Sequence, residues 1–241
     1  MYEWSIRILD VKEEKWNESY EKRQNFTFYP DNEVIRFVSS FLKKRIGIDE
    51  YAMIRPAQKI LDLGCGIGRH MLFLDQYGFE PYGIDLSAIA INCAKNWFHI
   101  QHKNNLSERI FVGSVEKLPF EDHFFDAMVS EAVLDSMPFS VAKKAIRESY
   151  RVLNPGALVY ISLIAYDSAL LGGDQSTDSD REVIIEEELE NGTIQSFFNQ
   201  EKISQLLGDY FSIMRQKTIS YEMLEPYSLN RRHFLVLKRN D

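Results

Sequence analysis

The feature that most constrains this chain is a short apolar run that ends in closely spaced glycines. It spans Lys59-Ile-Leu-Asp-Leu-Gly-Cys-Gly-Ile-Gly-Arg-His70. The residues before Gly64 have the length and apolar character of a buried parallel strand. Glycine permits main-chain conformations that are closed to other residues, and without a Cβ atom it lets a ligand approach the backbone and the N-terminus of the next helix. The segment therefore predicts a strand, a tight turn and a helix.

A second strand is predicted just downstream, and it ends in a carboxylate. Tyr82-Gly-Ile-Asp-Leu-Ser87 places Asp85 at the carboxyl end of that strand, followed by Leu86. A carboxylate in this position can accept hydrogen bonds from both hydroxyls of a ribose. The turn and the carboxylate together predict a site for a nucleoside cofactor. The residues expected to contact the cofactor here are Gly64, Cys65, Gly66 and Gly68 of the turn, together with Asp85 and Leu86.

Two kinds of nucleoside cofactor use such a site, and the glycine spacing distinguishes them. A dinucleotide-binding turn has glycine at its first, third and sixth positions. In this chain the sixth position is Arg69, and an acidic residue, Asp62, precedes the turn within the strand. The spacing disfavours a nicotinamide-dependent oxidoreductase, which stays an alternative that binding of NADH would support.

The run from Leu61 to Gly68 resembles motif I of the class I S-adenosylmethionine-dependent methyltransferases, whose pattern is close to Leu-Asp-Leu-Gly-Cys-Gly-x-Gly. The resemblance implies that the turn lies against the methionine part of S-adenosylmethionine, with S-adenosylhomocysteine as the product. It also implies that Asp62 helps to hold the cofactor's amino group and that Asp85 binds its ribose. No metal is expected.

Val112-Gly-Ser-Val-Glu-Lys-Leu-Pro-Phe120 resembles the family's adenine-contacting loop. Ser114 occupies the position where the family usually has an aspartate. Because a serine hydroxyl carries no charge, we expect main-chain groups of Val115 and Glu116 to share the contact with adenine.

Two later segments resemble the same family and follow in the family's order. Phe125-Asp-Ala-Met-Val-Ser130 is similar to its fourth strand, and Ser130 is a further expected cofactor contact. Arg151-Val-Leu-Asn-Pro-Gly-Ala157 is similar to the turn before its fifth strand. The resemblance covers roughly Lys59 to Ser162.

The alternation of strands and helices predicts an α/β fold with a doubly wound, Rossmann-like, mostly parallel sheet and helices on both faces. The resemblance implies that the sheet has seven strands and that the seventh, at the C-terminus, is antiparallel. Apolar spacing and capping residues predict helices from Asp31 to Ile46, after Ser87 and after Ser140. Later strands are predicted over residues 157–165, 212–220 and 232–238.

A chain of 241 residues with 45% hydrophobic content is long enough for one α/β domain. We expect a single methyltransferase domain over residues 1–241. Its expected parts are an N-terminal helical cap (1–50), a cofactor-binding core (51–165), an insertion (166–198) and the C-terminal part of the sheet (199–241).

The insertion is predicted from a break in the pattern after the fifth strand. Gly172 to Asp180 is polar, and Glu182 to Glu190 is followed by the hairpin turn signal Asn191-Gly192. Because ligands of α/β sheets lie beyond the carboxyl ends of the strands, this hairpin is a candidate substrate lid. A solvated spacer is an equal alternative.

Charge and hydropathy limit the partners. The net charge of -8 disfavours a nucleic-acid substrate, and no Asn-Pro-Pro-Tyr-like segment follows the fourth strand. A small-molecule methyl acceptor is therefore predicted. No apolar run has the length of a membrane span and the N-terminus lacks the pattern of a secretion signal, so a cytoplasmic protein without a membrane partner is expected. Cys65 and Cys93 are predicted to be buried free thiols.

Methyl transfer needs mainly proximity, orientation and exclusion of water, with a general base only where the acceptor loses a proton. The segment Ser130 to Pro138 is expected next to the methyl group, which makes Glu131 and Asp135 candidate bases. Either carboxylate could instead cap a helix or bind the cofactor. The segment is similar to one in quinone-pathway relatives, but Asp135 and Ser136 replace their Glu-His pair, which disfavours a quinone-type substrate.

Three aromatic or histidine residues are weaker candidates for substrate or lid contacts, with packing as the alternative. They are Tyr29, Tyr166 and His233. A third class of function, a protein that binds S-adenosylmethionine without catalysis, also fits the motifs.

Overall fold

The structure is a computed structural model that describes residues 13–166, 182–185, 192–224 and 227–241. Most of the predicted insertion, including the polar stretch from Gly172 to Asp180 and the turn residue Asn191, lies outside these residues. The strands, in chain order, are β1 (Lys43–Arg45), β2 (Tyr51–Met53), β3 (Lys59–Leu63), β4 (Glu80–Asp85), β5 (Ile110–Val112), β6 (Phe125–Ser130), β7 (Leu153–Ile164), β8 (Glu182–Ile184), β9 (Ile194–Ser196), β10 (Phe211–Leu224) and β11 (Tyr227–Arg239).

Seven of these strands form one mixed sheet in the order β10-β11-β7-β6-β3-β4-β5. β3, β4 and β5 pair in parallel, and so do β6 and β7. β11 is antiparallel to both β7 and β10. The predicted α/β fold, a mostly parallel seven-stranded sheet whose last strand is antiparallel, is confirmed.

The helices are α1 (residues 13–21), α2 (Asn32–Phe37), α3 (Arg69–Gln76), α4 (Ala88–Ile100), α5 (Phe139–Val152) and α6 (Gln200–Leu207). α4 begins where the sequence predicts, because the Ser87 hydroxyl accepts a hydrogen bond from the Ala90 amide at 3.1 Å. α2 also begins after its predicted cap, Asp31, whose carboxylate accepts from the Glu33 amide.

The predicted helix over Asp31 to Ile46 is too long. After α2 the chain makes a π-helical turn over Val38–Leu42, and Lys43 then adopts an extended conformation with φ -152°. The apolar spacing stops at Leu42, and the three basic residues of β1 leave a helix no apolar face to bury. Pairing with β2 and a bond from the Lys43 ammonium to the Tyr77 carbonyl, 2.6 Å long, replace the helical bonds.

The predicted Ser140 cap of α5 is wrong. The helix begins at Phe139, after Pro138, which cannot cap it with its own side chain. The Phe139 amide donates instead to the carboxylate of Glu182 in β8. A carboxylate from the insertion therefore performs the capping role that the sequence assigned to a local serine.

The chain forms two compact units. The first consists of Met1–Val115 with Ile184–Thr193, and the second of Glu116–Val183 with Ile194–Asp241. One buried core cluster of the first unit consists of Cys65, Met71, Leu72, Ile91, Ala94, Phe98, Leu106 and Ile110. The largest buried side chains of the second unit include Phe125, Tyr160, Phe197 and Phe198. The predicted single domain, with its cap, core, insertion and C-terminal part, stays a prediction.

The described part of the insertion is a hairpin. β8 and β9 form a two-stranded sheet, and the Ile185 amide donates to the Thr193 carbonyl at 2.8 Å. Gly192 closes the hairpin with φ +81°. Among the described residues, none of the helices has the length and apolar content needed to cross a bilayer.

Substitution of Gly68 by alanine tests the packing of the glycine turn. Gly68 has φ +81°, and a Cβ there would lie 2.4 Å from the Phe98 Cζ atom. We expect Gly68→Ala to lower the free energy of unfolding by about 2–4 kcal/mol, since backbone strain and a ring clash add together. Urea denaturation measures the loss.

Gly156→Ala is the matched control. Gly156 has φ +73°, but the atom nearest to a Cβ placed there, Lys238 Cε, is 3.7 Å away. Backbone strain alone should cost this variant about 1 kcal/mol. Equal losses in the two variants would contradict a role for the Phe98 contact.

Candidate cofactor and active site

The glycine turn of the first unit is held against the end of β4. The amides of Gly64 and Cys65 both donate to the Ile84 carbonyl, at 2.9 and 3.0 Å. Gly66 has φ +53°, and a Cβ there would lie 2.6 Å from the Tyr20 hydroxyl oxygen. No other residue type fits at Gly66 without displacing Tyr20.

Asp85 connects this turn to the start of α4. Its Oδ2 atom accepts from the Gly66 amide and its Oδ1 atom from the Ser87 amide, each at 2.9 Å. A carboxylate has about four acceptor positions, so lone pairs remain for the two hydroxyls of a ribose. The pKa of Asp85 is raised to about 6, mainly by burial and also by the charge of the nearby Asp62, and the amide bonds partly offset this rise.

Asp62 is almost completely buried in β3, beside the turn. Its Oδ1 atom lies 3.7 Å from His70 Nδ1. His70 Nε2 accepts from the Asp31 amide at 3.2 Å, which assigns the proton of a neutral ring to Nδ1, on the Asp62 side. His70 is therefore a buried neighbour of Asp62.

The other carboxylate oxygen of Asp62 tests whether the site fits S-adenosylmethionine. Within the described residues, Asp62 Oδ2 is buried and has no hydrogen-bond partner. An unpartnered buried carboxylate oxygen costs free energy unless a donor reaches it, and an ammonium group is a suitable donor. The residues of the turn, Asp62 and Asp85 fit the amino group and ribose of this cofactor.

α1 contributes two residues to the site that the sequence did not single out. Asn17 Oδ1 accepts from the Ser87 hydroxyl at 2.6 Å, and the Tyr20 hydroxyl lies over Gly66. The sequence signal for this helix was the pair Trp16 and Tyr20. Two aromatic residues four positions apart in a charged segment are typical of one helical face.

The aromatic segment after α1 packs on α4. The Phe28 ring meets the Trp97 ring edge to face at 5.0 Å between centroids. Tyr29 is 82% exposed, and its carbonyl accepts from Arg69 at 3.2 Å. Its contact with a substrate stays a prediction.

Ser114, Val115 and Glu116 belong to the loop that is predicted to contact adenine. Val115 is buried, and Leu86 and Ser114 are half-buried. The Glu116 carboxylate is 2.7 Å from the Lys144 ammonium of α5, which leaves the main chain of this turn as the group suited to a base contact. The part played by Ser114 and Glu116 in adenine binding stays a prediction.

In the second unit, the residues after β6 form a hydrogen-bonded group. Ser130 is buried, and its hydroxyl has no hydrogen-bond partner within the described residues. Glu131 accepts from the Tyr160 hydroxyl. Ala132 has φ +56°, which is unfavourable for a residue with a Cβ atom, and its amide donates to the Ser162 hydroxyl at 2.9 Å. Strain of this kind is concentrated at functional sites.

Asp135 is fully buried and ion-paired. Its Oδ2 atom accepts from Arg232 at 2.7 Å and from the Ile164 amide at 2.8 Å. Burial opposes the charge of Arg232, but attraction to Asp135 and then Glu131 keeps the pKa of this guanidinium above its ordinary value. Asp135 thus joins the segment after β6 to β7 and β11.

Tyr166 and His233 meet at one carbonyl group. The Phe198 carbonyl accepts from the Tyr166 amide at 2.9 Å and from His233 Nε2 at 3.1 Å. The other ring nitrogen of His233 is 2.8 Å from the Thr218 hydroxyl. Burial and then Arg231 lower the pKa of His233, so the ring is neutral near pH 7. Both residues have packing roles here, and their contact with a substrate stays a prediction.

Both cysteines are free thiols, as predicted, but Cys93 is only half-buried. Cys65 is buried in the turn, and burial, followed by the charges of Asp62 and Asp85, raises its pKa well above the usual value. It is therefore a poor nucleophile. Within the described residues, no group of three or more His, Cys, Asp or Glu side chains is arranged to hold a metal ion.

Comparison with known proteins agrees with this geometry. Residues 61–161 match a family model described as a methyltransferase domain. An uncharacterized protein of Haemophilus influenzae is 38% identical over 123 residues, which are 50% of this chain and 46% of that protein. An uncharacterized methyltransferase of Synechocystis is 34% identical over 110 residues, which are 45% of this chain and 48% of that protein.

The substrates named for more distant relatives include RNA. The Drosophila melanogaster tRNA N(3)-methylcytidine methyltransferase is 31% identical over 116 residues, which are 45% of this chain and 34% of that protein. A solved structure of a SAM-dependent methyltransferase from Methanosarcina mazei matches with a TM-score of 0.62 at 23% identity, covering 77% of this chain and 94% of that one. At this identity the likeness shows the fold.

Residues 61–161 therefore form a methyltransferase domain, and these findings together support a class I S-adenosylmethionine-dependent methyltransferase. This confirms the resemblance of motif I and favours a methyltransferase over a nicotinamide-dependent oxidoreductase. The chain spans about half the length of the first two curated relatives. The activity of the whole protein is accordingly a proposal.

The pKa of Asp85 generates a prediction for cofactor binding. We expect the affinity for S-adenosylhomocysteine to fall as the pH drops through about 6, because a protonated Asp85 is a weaker acceptor for ribose hydroxyls. Above that value the affinity should be constant. Calorimetric titration at several pH values measures it.

Asp85→Ala is the control for this assignment. The variant should bind about a hundredfold more weakly at neutral pH, since it loses two hydrogen bonds to a charged acceptor. It should also lose the dependence on pH near 6. A dependence that persists in the variant would assign the titration to a group other than Asp85.

Proposed function

We propose that this protein transfers the methyl group of S-adenosylmethionine to an oxygen or nitrogen atom of a small molecule. The observation that carries the proposal is the buried Asp62 oxygen, which has no partner among the described residues and lies next to a glycine turn held by Asp85. A buried carboxylate kept in this state is costly unless a cationic ligand completes it. The ammonium group of S-adenosylmethionine is such a ligand.

The chain's own residues account for binding and orientation. When bound, S-adenosylmethionine supplies a methyl group on a cationic sulfur that leaves as a neutral thioether. Asp62 holds the amino group of the cofactor and Asp85 its ribose, and the glycine turn admits the cofactor close to the main chain. The resemblance implies that the segment after β6 lies next to the methyl group. The protein then contributes alignment of the acceptor and exclusion of water.

Of the two carboxylates in that segment, Glu131 suits the role of base better. It accepts a hydrogen bond from a neutral hydroxyl, that of Tyr160, and it precedes the strained Ala132. Asp135 is engaged by the Arg232 guanidinium and the Ile164 amide, so protonation would cost a buried ion pair. We propose that Glu131 accepts the acceptor's proton and that Asp135 is structural.

The net charge of the chain bears on the class of methyl acceptor. A net charge of -8 repels a phosphate backbone, which supports a small-molecule acceptor. A tRNA substrate, named for one of the relatives, is the alternative. A cytoplasmic location and the absence of a nucleic-acid partner belong to the same proposal.

The direct experiment is calorimetry with S-adenosylmethionine and S-adenosylhomocysteine, followed by transfer of a labelled methyl group. We expect binding of both ligands and label in the small-molecule fraction of a cell extract. Label in the RNA fraction would replace the small-molecule acceptor by a nucleic acid. Absence of cofactor binding would refute the proposal, and tight binding without any transfer would favour a non-catalytic protein.

A pair of variants separates the two carboxylates. Glu131→Gln should lower kcat by about 10²-fold or more if the acceptor loses a proton, with unchanged binding of S-adenosylhomocysteine. Asp135→Asn should instead lower the free energy of unfolding by about 3 kcal/mol, because Arg232 loses its buried partner. Initial rates with the acceptor identified by the labelling experiment measure the first effect, and urea denaturation measures the second. A normal kcat in Glu131→Gln would exclude it as the base.

A further inference from the structure

The connection between β5 and β6, residues 113–124, contains no helix or strand. Its conformation therefore depends on bonds to neighbouring elements. Within the second unit, those bonds come from a stripe of side chains on α5. Lys144, Glu148 and Arg151 are spaced by four and three residues and so lie on one face of the helix.

Arg151 uses all of its donor groups on this stripe and loop. Nη1 donates to the Phe120 carbonyl and to Asp122, each at 2.8 Å. Nη2 donates to the Leu118 carbonyl at 3.0 Å and to Glu148 at 2.8 Å, and Nε donates to Glu148 at 3.0 Å. The planar guanidinium thereby fixes two carbonyl groups of the loop at once.

Glu148 completes the arrangement from the other side. Its Oε2 atom accepts from the Leu118 amide at 2.9 Å, so both main-chain groups of Leu118 are held by the same pair of side chains. The bond from Arg151 lowers the pKa of Glu148 and keeps it ionised as an acceptor. The Leu118 side chain is also buried, which anchors the residue by packing.

Lys144 holds the beginning of the same loop. Its ammonium is 2.7 Å from the carboxylate of Glu116. With side-chain exposures of 64% and 16%, this contact is weaker than the Arg151–Glu148 pair, whose exposures are 32% and 20%. The Asp122 contact of Arg151 is also exposed. The two carbonyl bonds and the Glu148 pair are therefore the main restraint.

We propose that Arg151 and Glu148 are positioning residues for adenine recognition, because they set the main-chain conformation of residues 118–122 in the loop that is predicted to contact adenine. They touch no reacting atom and act through Leu118 and Phe120. The inference rests on the proposed function, since it takes S-adenosylmethionine as the ligand. It assigns the discrimination of the base to a loop that α5 holds in place. Because position 114 is a serine, main-chain groups contribute more to the discrimination of the base than they would beside a charged side chain.

The test measures base discrimination rather than activity. Calorimetry gives the dissociation constants of S-adenosylhomocysteine and of S-inosylhomocysteine, which carries an oxo group in place of the adenine amino group. We expect the wild type to prefer the adenine ligand by about tenfold, the value of one hydrogen bond. Arg151→Lys keeps the charge but loses the fork, and it should bind S-adenosylhomocysteine about tenfold more weakly with little preference left between the two ligands.

Arg147→Lys is the matched control, on the same helix but with an exposed side chain for which the described part of the chain shows no bond. It should keep both the affinity and the preference. Glu148→Gln, which preserves shape, decides the outcome if Arg151→Lys does not fold, and it should reduce the preference in the same direction.

The outcomes separate the two proposals. If the wild type binds S-adenosylhomocysteine but the folded Arg151 and Glu148 variants retain its preference for adenine, the positioning role is wrong. Equal affinity of the wild type for the two ligands would also overturn it. Failure of the wild type to bind S-adenosylhomocysteine at all would refute the proposed function instead.

Discussion

The organisation of the first unit depends on one carboxylate, that of Asp85. It stands where β4 ends, and it accepts one amide from the glycine turn and one from the start of α4. Two chain segments that are distant in sequence are thereby fixed by a group that still has acceptor capacity for a ligand. Burial of this carboxylate opposes its ionisation, so the amides that hold the turn also keep the site charged near neutral pH.

In the second unit, an ion pair holds the segment that follows β6. The segment after β6 has no regular structure, and Asp135 fixes it by binding Arg232 of β11 and the last amide of β7. Glu131 and the strained Ala132 lie at the start of this segment. A rigid attachment near a strained residue is expected where a side chain must be held in one orientation for chemistry.

The parts of the structure that the sequence predicts are those encoded locally. The strand, turn and helix around Gly64 follow from neighbouring residues, and so does the Ser87 cap. The contacts of Tyr20 with Gly66 and of Arg232 with Asp135 depend on how distant segments meet, which periodicity and capping rules do not specify. The end of the helical segment at Leu42 was also not predicted. It depends on the pairing of β1 with β2 and on the bond from Lys43 to the distant Tyr77 carbonyl.

The bond between Glu182 and the Phe139 amide has a consequence for how this chain could diversify. An insertion after a central strand is usually regarded as a module that can be exchanged without disturbing the scaffold. Here the insertion supplies the group that starts α5, and Ser196 of β9 bonds the same carboxylate and the Met137 carbonyl. Replacing the hairpin would leave the first turn of a scaffold helix without its acceptor. A change of acceptor specificity by loop exchange would therefore have to preserve this carboxylate, which links the evolution of the hairpin to that of the core.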